Sequence, residues 1–393
     1  MKKVAVLGGG PAGALAAERL AQGGLDTILI DEKLAWEKPC GGGLTYKAYT
    51  QYPFLMENEA PKKLVTETYL AAPKAGRVKM ALTHPLVIYS RFDLNHLLLQ
   101  RAECAGAQLE KVRVTGINRK GKGWALSTRQ GTIDADYCVV ATGARNPLRE
   151  VGTEWTASDT MYALGYYVPS QQMHIDIQFL AGLEGYIWVF PRCGHLSVGI
   201  CGKGESAQAL RARLERYMAD HGIPWQGASF YAHMLPALDK KSWRNNRIAG
   251  EGWMAVGDAG GLVDPITGEG LYYALRSGDL ASRIVLDSSH APEAKPAAYR
   301  ALIEHDFARD LYLGSLIARR LFLGSFLFSS VPARMVQFIQ RSPRFRELMQ
   351  DLFAGTQNYE GLRDRLLKNL NGTLQEVLLS FCFRRMLAEP SKP

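Results

Sequence analysis

A run of glycines between an apolar strand and a helix constrains this chain more than any other feature. Val4-Ala5-Val6-Leu7 leads into Gly8-Gly9-Gly10-Pro11-Ala12-Gly13, and Ala14 to Gln22 is then built of helix formers. A second apolar run, Thr27 to Ile30, ends at Asp31, 18 residues past Gly13. Strand, glycine turn, helix and a strand closed by an acid make the βαβ unit that cradles a dinucleotide. Each residue type has a mechanical reason. Gly8 permits the tight turn, and Gly10, followed by Pro11 and Ala12 at the helix start, lets backbone approach a pyrophosphate. Gly13 lets the helix pack on the strand, and Asp31 can hold a ribose hydroxyl. An ordinary turn is the plainer reading of the glycines alone; the flanking strand, helix and acid select the nucleotide.

The sheet that this unit starts is interrupted and resumed. Tyr137-Cys138-Val139-Val140-Ala141, followed by Thr142-Gly143-Ala144, reads as a buried strand returning to it, and Trp253 to Val256 as a further strand before Gly257-Asp258 and a helix from about Gly270 to Asp287. Between them, from about Tyr162 to Gly202, apolar and polar residues alternate as in an antiparallel sheet. From Tyr299 onward the pattern is mostly helical, broken at Pro332 and Pro343. The expected architecture is α/β. A Rossmann-type cofactor domain spans 1–160, with an excursion around 45–90 joining the substrate domain, and resumes at 246–298. An antiparallel-sheet substrate domain (α+β) is inserted at 161–245, and a helical C-terminal region occupies 299–393.

Composition narrows the class. At 393 residues, with 47% hydrophobic and 22% charged residues, the chain matches globular averages, which excludes disordered, collagenous and polytopic membrane proteins. A net charge of +9 favours anionic cofactors or lipid surfaces without demanding nucleic acid. The six cysteines show no C-x-x-C pair and the eight histidines no ligand spacing, so neither a disulfide framework nor a metal site is expected. Most of the histidines read as surface or satisfied polar positions, and none is assigned catalysis. Met1-Lys2-Lys3 enters the first strand with no hydrophobic leader, and a reduced, cytoplasmic protein is the expectation.

Further segments resemble the flavoprotein superfamily of para-hydroxybenzoate hydroxylase, and within it the geranylgeranyl reductase family. Gly8 to Gly13 with Asp31 is similar to the adenosine diphosphate end of an FAD site. Arg91-Phe92-Asp93, opening a helix, is similar to the family's arginine element, and Gly257-Asp258 with Asp264-Pro265-Ile266-Thr267-Gly268-Glu269-Gly270 to its ribityl and flavin-ring segment. Pro39-Cys40-Gly41-Gly42-Gly43-Leu44 resembles the reductases' P-C-G-G-G loop beside the isoalloxazine, and Gly185-Tyr186-Ile187-Trp188-Val189-Phe190-Pro191 their Y-x-W-x-F-P strand. Leu352-Phe353-Ala354-Gly355 followed by Tyr359 is similar to a C-terminal element of the same reductases.

The resemblance implies an FAD-dependent oxidoreductase that reduces carbon–carbon double bonds of an isoprenoid or related lipid by hydride transfer from reduced flavin. It assigns cofactor contacts to Gly8, Gly10, Pro11, Ala12, Gly13, Asp31, Cys40, Gly41, Gly42, Arg91, Gly143, Asp258, Pro265, Gly268 and Gly270. It assigns substrate contacts to Tyr186, Trp188 and Phe190, and catalytic roles to Cys40, Tyr186 and Trp188. The three aromatics share one face of a strand and would equally fill a sandwich core; Cys40 would equally be a small loop residue, and Asp258 a helix cap. The alternatives are a flavin monooxygenase or halogenase acting on a small aromatic or polyketide-like substrate. Against a hydroxylase, Thr142-Gly143-Ala144-Arg145-Asn146 stands where many carry Asp-Gly; against a halogenase, Tyr186 and Phe190 replace the tryptophan and isoleucine of W-x-W-x-I-P. No second glycine fingerprint follows a strand, so the electron donor is NADPH bound transiently or a small redox protein.

Between Leu313 and Arg346 stand six arginines and no acid, interleaved with Leu321-Phe322-Leu323 and Phe326-Leu327-Phe328. That combination suits a segment lying on an anionic membrane face; a buried helical region with arginines at its ends suits it as well. No run is long enough to span a bilayer. Peripheral contact through 313–346 is therefore carried beside the cytoplasmic expectation. A lipid-like substrate and no nucleic acid are expected, and the oligomeric state is open.

Overall fold

A computed structural model describes residues 2–387. The glycine loop is framed as its spacing requires. Strand Lys3–Leu7 pairs in parallel with Asp26–Ile30 on one side and Tyr137–Val140 on the other, and the sheet continues to Trp253–Ala255 and Gln108–Glu110. The order 249–250, 253–255, 137–140, 3–7, 26–30, 108–110 places the first strand centrally, with a short antiparallel hairpin at one edge. Helix Pro11–Gln22 packs on helix Leu271–Leu286 across one face, burying an alanine- and leucine-rich stripe. That packing needs its glycines. A Cβ on Gly13 would lie 2.0 Å from the Gly8 carbonyl oxygen, and one on Gly278 would lie 2.3 Å from that of Ala12.

The second sheet has eight strands in the order 229–236, 160–168, 196–203, 184–191, 175–179, 62–72, 76–89, 43–44. It is antiparallel except that Ile175–Phe179 runs parallel to Lys62–Ala72. One face of it packs on helix Ala207–Asp220 through Leu164, Ile187, Val189, Leu210, Leu214 and Met218. The other face turns toward the C-terminal helices, so that Ile177, Phe179 and Trp188 cluster with Phe322, Val336, Leu348 and Met349. Pro332 and Pro343 each sit in the first turn of a helix, Val331–Arg341 and Pro343–Ala354, where a proline lacks no needed hydrogen bond. A three-stranded meander, 114–135, covers the opposite face of the first sheet through Trp124 and Leu126.

Candidate active site

A cavity of about 320 Å³ lies where the two sheets and the C-terminal helices meet. Its lining includes Gly10, Pro11 and Ala12 of the glycine loop, the loop Lys38–Gly43, Arg91, Gly143, Asp258, and Ile266–Leu271. An apolar set, Leu70, Ile177, Phe179, Leu235, Phe322, Met349, Leu352 and Phe353, lines it too. Tyr186, Trp188 and Phe190 line the wall as well. Gly8, Gly13, Asp31 and Pro265 do not line it. Gly8 and Gly13 shape the turn behind it, and Asp31 braces the loop by accepting from the Gly9 N–H at 2.7 Å. Pro265 is buried beside Gly314 of helix Arg309–Leu323. The C-terminal pair Leu352-Phe353 and Tyr359 reach the cavity too.

The loop carrying Cys40 is pinned from the other sheet. Arg192, fully buried, donates to the Cys40 carbonyl at 2.5 Å and to Glu37 Oε1 at 2.8 Å. Ser197 Oγ donates to the same carbonyl at 3.1 Å and lies 2.9 Å from the Tyr231 hydroxyl. Glu37 also accepts the backbone N–H groups of Arg91 and Phe92, tying the loop to the start of helix Arg91–Cys104. Burial opposes ionisation of Glu37, but Arg192 and these N–H groups outweigh it and hold its carboxyl below the usual value. Gly42 adopts φ +83° with its Cα so placed that a Cβ would meet the Tyr89 carbonyl oxygen at 2.1 Å; no other residue type fits.

Alternation along strand Glu184–Pro191 sends Tyr186, Trp188 and Phe190 to the cavity, and Ile187 and Val189 to the helix behind. The aromatics thus close the cavity and border the cluster formed with the C-terminal helices. Gly199, opposite Trp188, leaves room for the indole: a Cβ there would lie 2.2 Å from Cζ2. The Tyr186 hydroxyl donates to the Thr267 carbonyl, and burial drives its pKa far above the ordinary value.

Among the polar lining residues Lys38 Nζ lies 3.1 Å from Asp258 Oδ2. Burial works against the Asp258 charge, yet Lys38 and its other neighbours hold the carboxyl below its usual range. His233 sits in the same field. Burial and the Lys38 charge push its pKa down, and its Nε2 is buried with no hydrogen-bond partner. His233 is thus an exception to the expectation that most histidines are surface or satisfied positions, as is His195, whose Nε2 is also buried without a partner. Both imidazoles lie on strands or turns of the sheet that the alternating pattern described without showing what they would face.

Glu269 lines the cavity beside Thr45, which donates to its Oε1 at 3.1 Å. Burial, with the Asp264 charge adding to it, pushes this carboxyl up to about 7. Sequence reasoning quoted Glu269 inside a motif without giving it a role; its position between two glycines of a cofactor segment was the available signal. Lys38, Arg192 and His233 were missed outright.

The residues fit a flavin dinucleotide. A buried Arg91 guanidinium whose Nε has no partner stands on the cavity wall. Open space lies in front of Gly10 and Gly143, where a Cβ would meet nothing. Gly10 also precedes the first residue of helix Pro11–Gln22, whose N-terminal N–H groups and dipole favour an anion. Among the described residues no group of His, Cys, Asp and Glu could hold a metal, and the five described cysteines are free thiols; the Cys382 side chain lies outside the described ones.

A family profile described as "Pyridine nucleotide-disulphide oxidoreductase" matches residues 2–161. The chloroplastic geranylgeranyl diphosphate reductase of Arabidopsis thaliana is 29% identical over 324 residues, 73% of this chain and 66% of that protein. The chain thus spans about two thirds of that reductase's length. The menaquinone reductase of Mycobacterium tuberculosis is 28% identical over 353 residues, covering 81% and 83% of the two chains. In fold, the chain is similar to a geranylgeranyl bacteriochlorophyll reductase-like protein from Thermoplasma acidophilum, with a TM-score of 0.77, 22% identity and coverage of 93% and 98%. Glycine loop, the 264–270 segment and aromatic wall agree with these likenesses: the chain is similar to the geranylgeranyl reductases and carries a Rossmann-type FAD-binding fold.

Proposed function

We propose that this protein reduces carbon–carbon double bonds of an isoprenoid chain. One observation carries the reading: a single cavity is lined both by the residues suited to a flavin and by an apolar set that includes Tyr186, Trp188, Phe190, Leu70, Ile177 and Phe322. Apolar area removed from water contributes about 25 cal/mol per Å², so such a wall holds a hydrocarbon chain without polar anchors. A phenol-like substrate of a monooxygenase would leave most of it unfilled.

Reduced FAD supplies a hydride when bound. The chain's residues do the rest. Gly10, Arg91, Asp258 and the loop Gly41-Gly42 hold the cofactor, with Lys38 balancing Asp258. Trp188, its Nε1 3.4 Å from Ser197 Oγ, and Tyr186, tied to the Thr267 carbonyl, orient the alkene and exclude water. Glu269 holds a proton near neutral pH at the cavity wall and is the acid suited to deliver it to the second alkene carbon. The Cys40 thiol, whose Sγ accepts from the Gly42 N–H at 3.3 Å, steers the substrate at the loop. NADPH or a small redox protein brings the electrons, and residues 1–160 with 246–298 form the cofactor domain that serves the inserted sheet.

The test is product analysis. Purified protein incubated with a chemical reductant and a geranylgeranyl lipid yields products heavier by two hydrogens per bond, without oxygen uptake. Oxygen incorporated into product, or halide-dependent product, overturns the reading in favour of a monooxygenase or halogenase.

A further inference from the structure

Helix Arg309–Leu323 ends in a short hairpin, Ser325–Phe326 paired with Ser329–Ser330, whose two-residue tip is Leu327-Phe328. Phe328 is 107% exposed, Leu327 48%, Phe326 46% and Leu323 43%. Both tip residues adopt left-handed backbone, φ 49° for Leu327 and 61° for Phe328. A two-residue turn of this kind favours Asn-Gly, and large apolar side chains there cost conformational energy in water. Neither folding nor solubility explains their presence. The tip is nevertheless held in place: the Arg334 guanidinium donates to the carbonyls of Phe326 and Leu327.

Two further observations say what the tip meets. The first is charge: residues 313–346 carry six arginines and no acid, and Arg319 and Arg320, exposed on the last turns of the helix, pair with no acid among the described residues. The second is continuity: Leu321 and Phe322 line the cavity, while Leu323 and the hairpin that follow them stand in solvent. On the same helix Leu316, Arg320 and Leu323 share one outward face at helical spacing, with Leu316 42% exposed. One short segment therefore forms part of the cavity wall and an apolar, basic-rimmed prominence.

We propose that the Gly324–Ser330 hairpin inserts into the interfacial layer of an anionic bilayer, with Phe326, Leu327 and Phe328 in the acyl boundary and Arg319 and Arg320 on lipid phosphates. No helix among the described residues is long and apolar enough to cross a membrane, so the contact is one of docking on the surface. This rests on the isoprenoid reading, and supplies the route: a lipid leaves the bilayer beside Leu321 and Phe322 without crossing water.

The experiment measures binding without turnover. The FAD-loaded protein is sedimented with vesicles of phosphatidylcholine alone or with phosphatidylglycerol added. Binding to the anionic vesicles is expected, weakening with salt. The double variant Leu327→Asp/Phe328→Asp should bind about tenfold more weakly or less, with an unchanged melting temperature and unchanged reduction of a detergent-dispersed substrate. In a separate Phe328→Trp variant the introduced indole should shift its emission to the blue on vesicle addition. Equal binding by the wild type and the double variant, no binding by the wild type, or an unshifted indole overturns the proposal. So does self-association through the hairpin in place of vesicle binding. Wild-type protein that reduces the lipid yet binds no anionic vesicles sinks the docking surface alone, whereas wild-type protein that docks yet reduces no lipid sinks the catalytic reading alone.

Discussion

The Tyr359 hydroxyl lies 2.8 and 3.0 Å from the two carboxylate oxygens of Asp264. Asp264 in turn accepts the backbone N–H groups of Ile266 and Thr267, which begin the turn on the cavity wall. A residue from the last described helix thus fixes the 264–270 segment on the cavity wall, and Tyr359 itself reaches the cavity. Tyr359→Phe leaves Asp264, which burial already pushes toward its protonated form, short of a donor. Leaving a buried polar group short of a hydrogen-bond partner costs about 1–3 kcal/mol. A lower Tm and faster FAD loss on dilution, followed by flavin fluorescence, are expected together.

The Lys38–Asp258 pair separates cofactor binding from folding. Asp258→Ala removes the proposed cofactor acceptor and leaves Lys38 unpaired, whereas Lys38→Ala leaves the half-buried Asp258 charge without its partner. The side chains are 19% and 13% exposed, so breaking the pair costs less than the about 3–5 kcal/mol of a fully buried one; both variants should lose some stability in the apo form. FAD affinity, measured by titration, should fall at least about tenfold for Asp258→Ala.

Glu269 gives a pH signature of definite sign. Its folded pKa is raised from 4.5 to about 7, so the folded state binds more protons than the unfolded one across that window. Stability contributed by this group is present below the unfolded value and is lost as pH rises toward 7. Apo protein followed by thermal melting should lose Tm over that range, and Glu269→Gln should flatten the loss. Turnover should fall above about pH 7 in the wild type. Glu269→Gln should lower kcat by about 10²–10⁴, as removal of a general acid does, while retaining FAD. A Glu269→Gln enzyme with an unaltered pH profile would remove Glu269 from the proton path.

Gly199 guards the aromatic wall. In Gly199→Ala the new methyl would meet the Trp188 ring at 2.2 Å, and overpacking of this kind costs about 1–3 kcal/mol. The indole must turn into the cavity or the sheet must spread. The expected result is a raised KM for the lipid with FAD retention unchanged, read by steady-state kinetics beside the flavin absorbance ratio.

Local patterns carried much of this account. The glycine loop, the returning strand at Tyr137–Val140 and the aromatic strand at 184–191 are legible because turn chemistry and period-two alternation act over a few residues. The cavity wall was legible where it coincides with such motifs. Its supports were not: Arg192 pins a carbonyl 152 residues earlier, and Lys38 meets an acid 220 residues later. The parallel pairing of Ile175–Phe179 with Lys62–Ala72 likewise joins distant strands that look alike in any register. His233 reads as an ordinary polar strand residue until the fold carries Lys38 and Asp258 to its side.

The most direct measurement is anaerobic. The FAD-loaded protein is reduced with dithionite, mixed with geranylgeranyl diphosphate, and followed by the return of oxidised flavin absorbance, with mass analysis of the lipid. Reoxidation matched to a gain of two hydrogens per bond is expected. A flavin that stays reduced with the lipid present, and reoxidises only when oxygen enters, would contradict it.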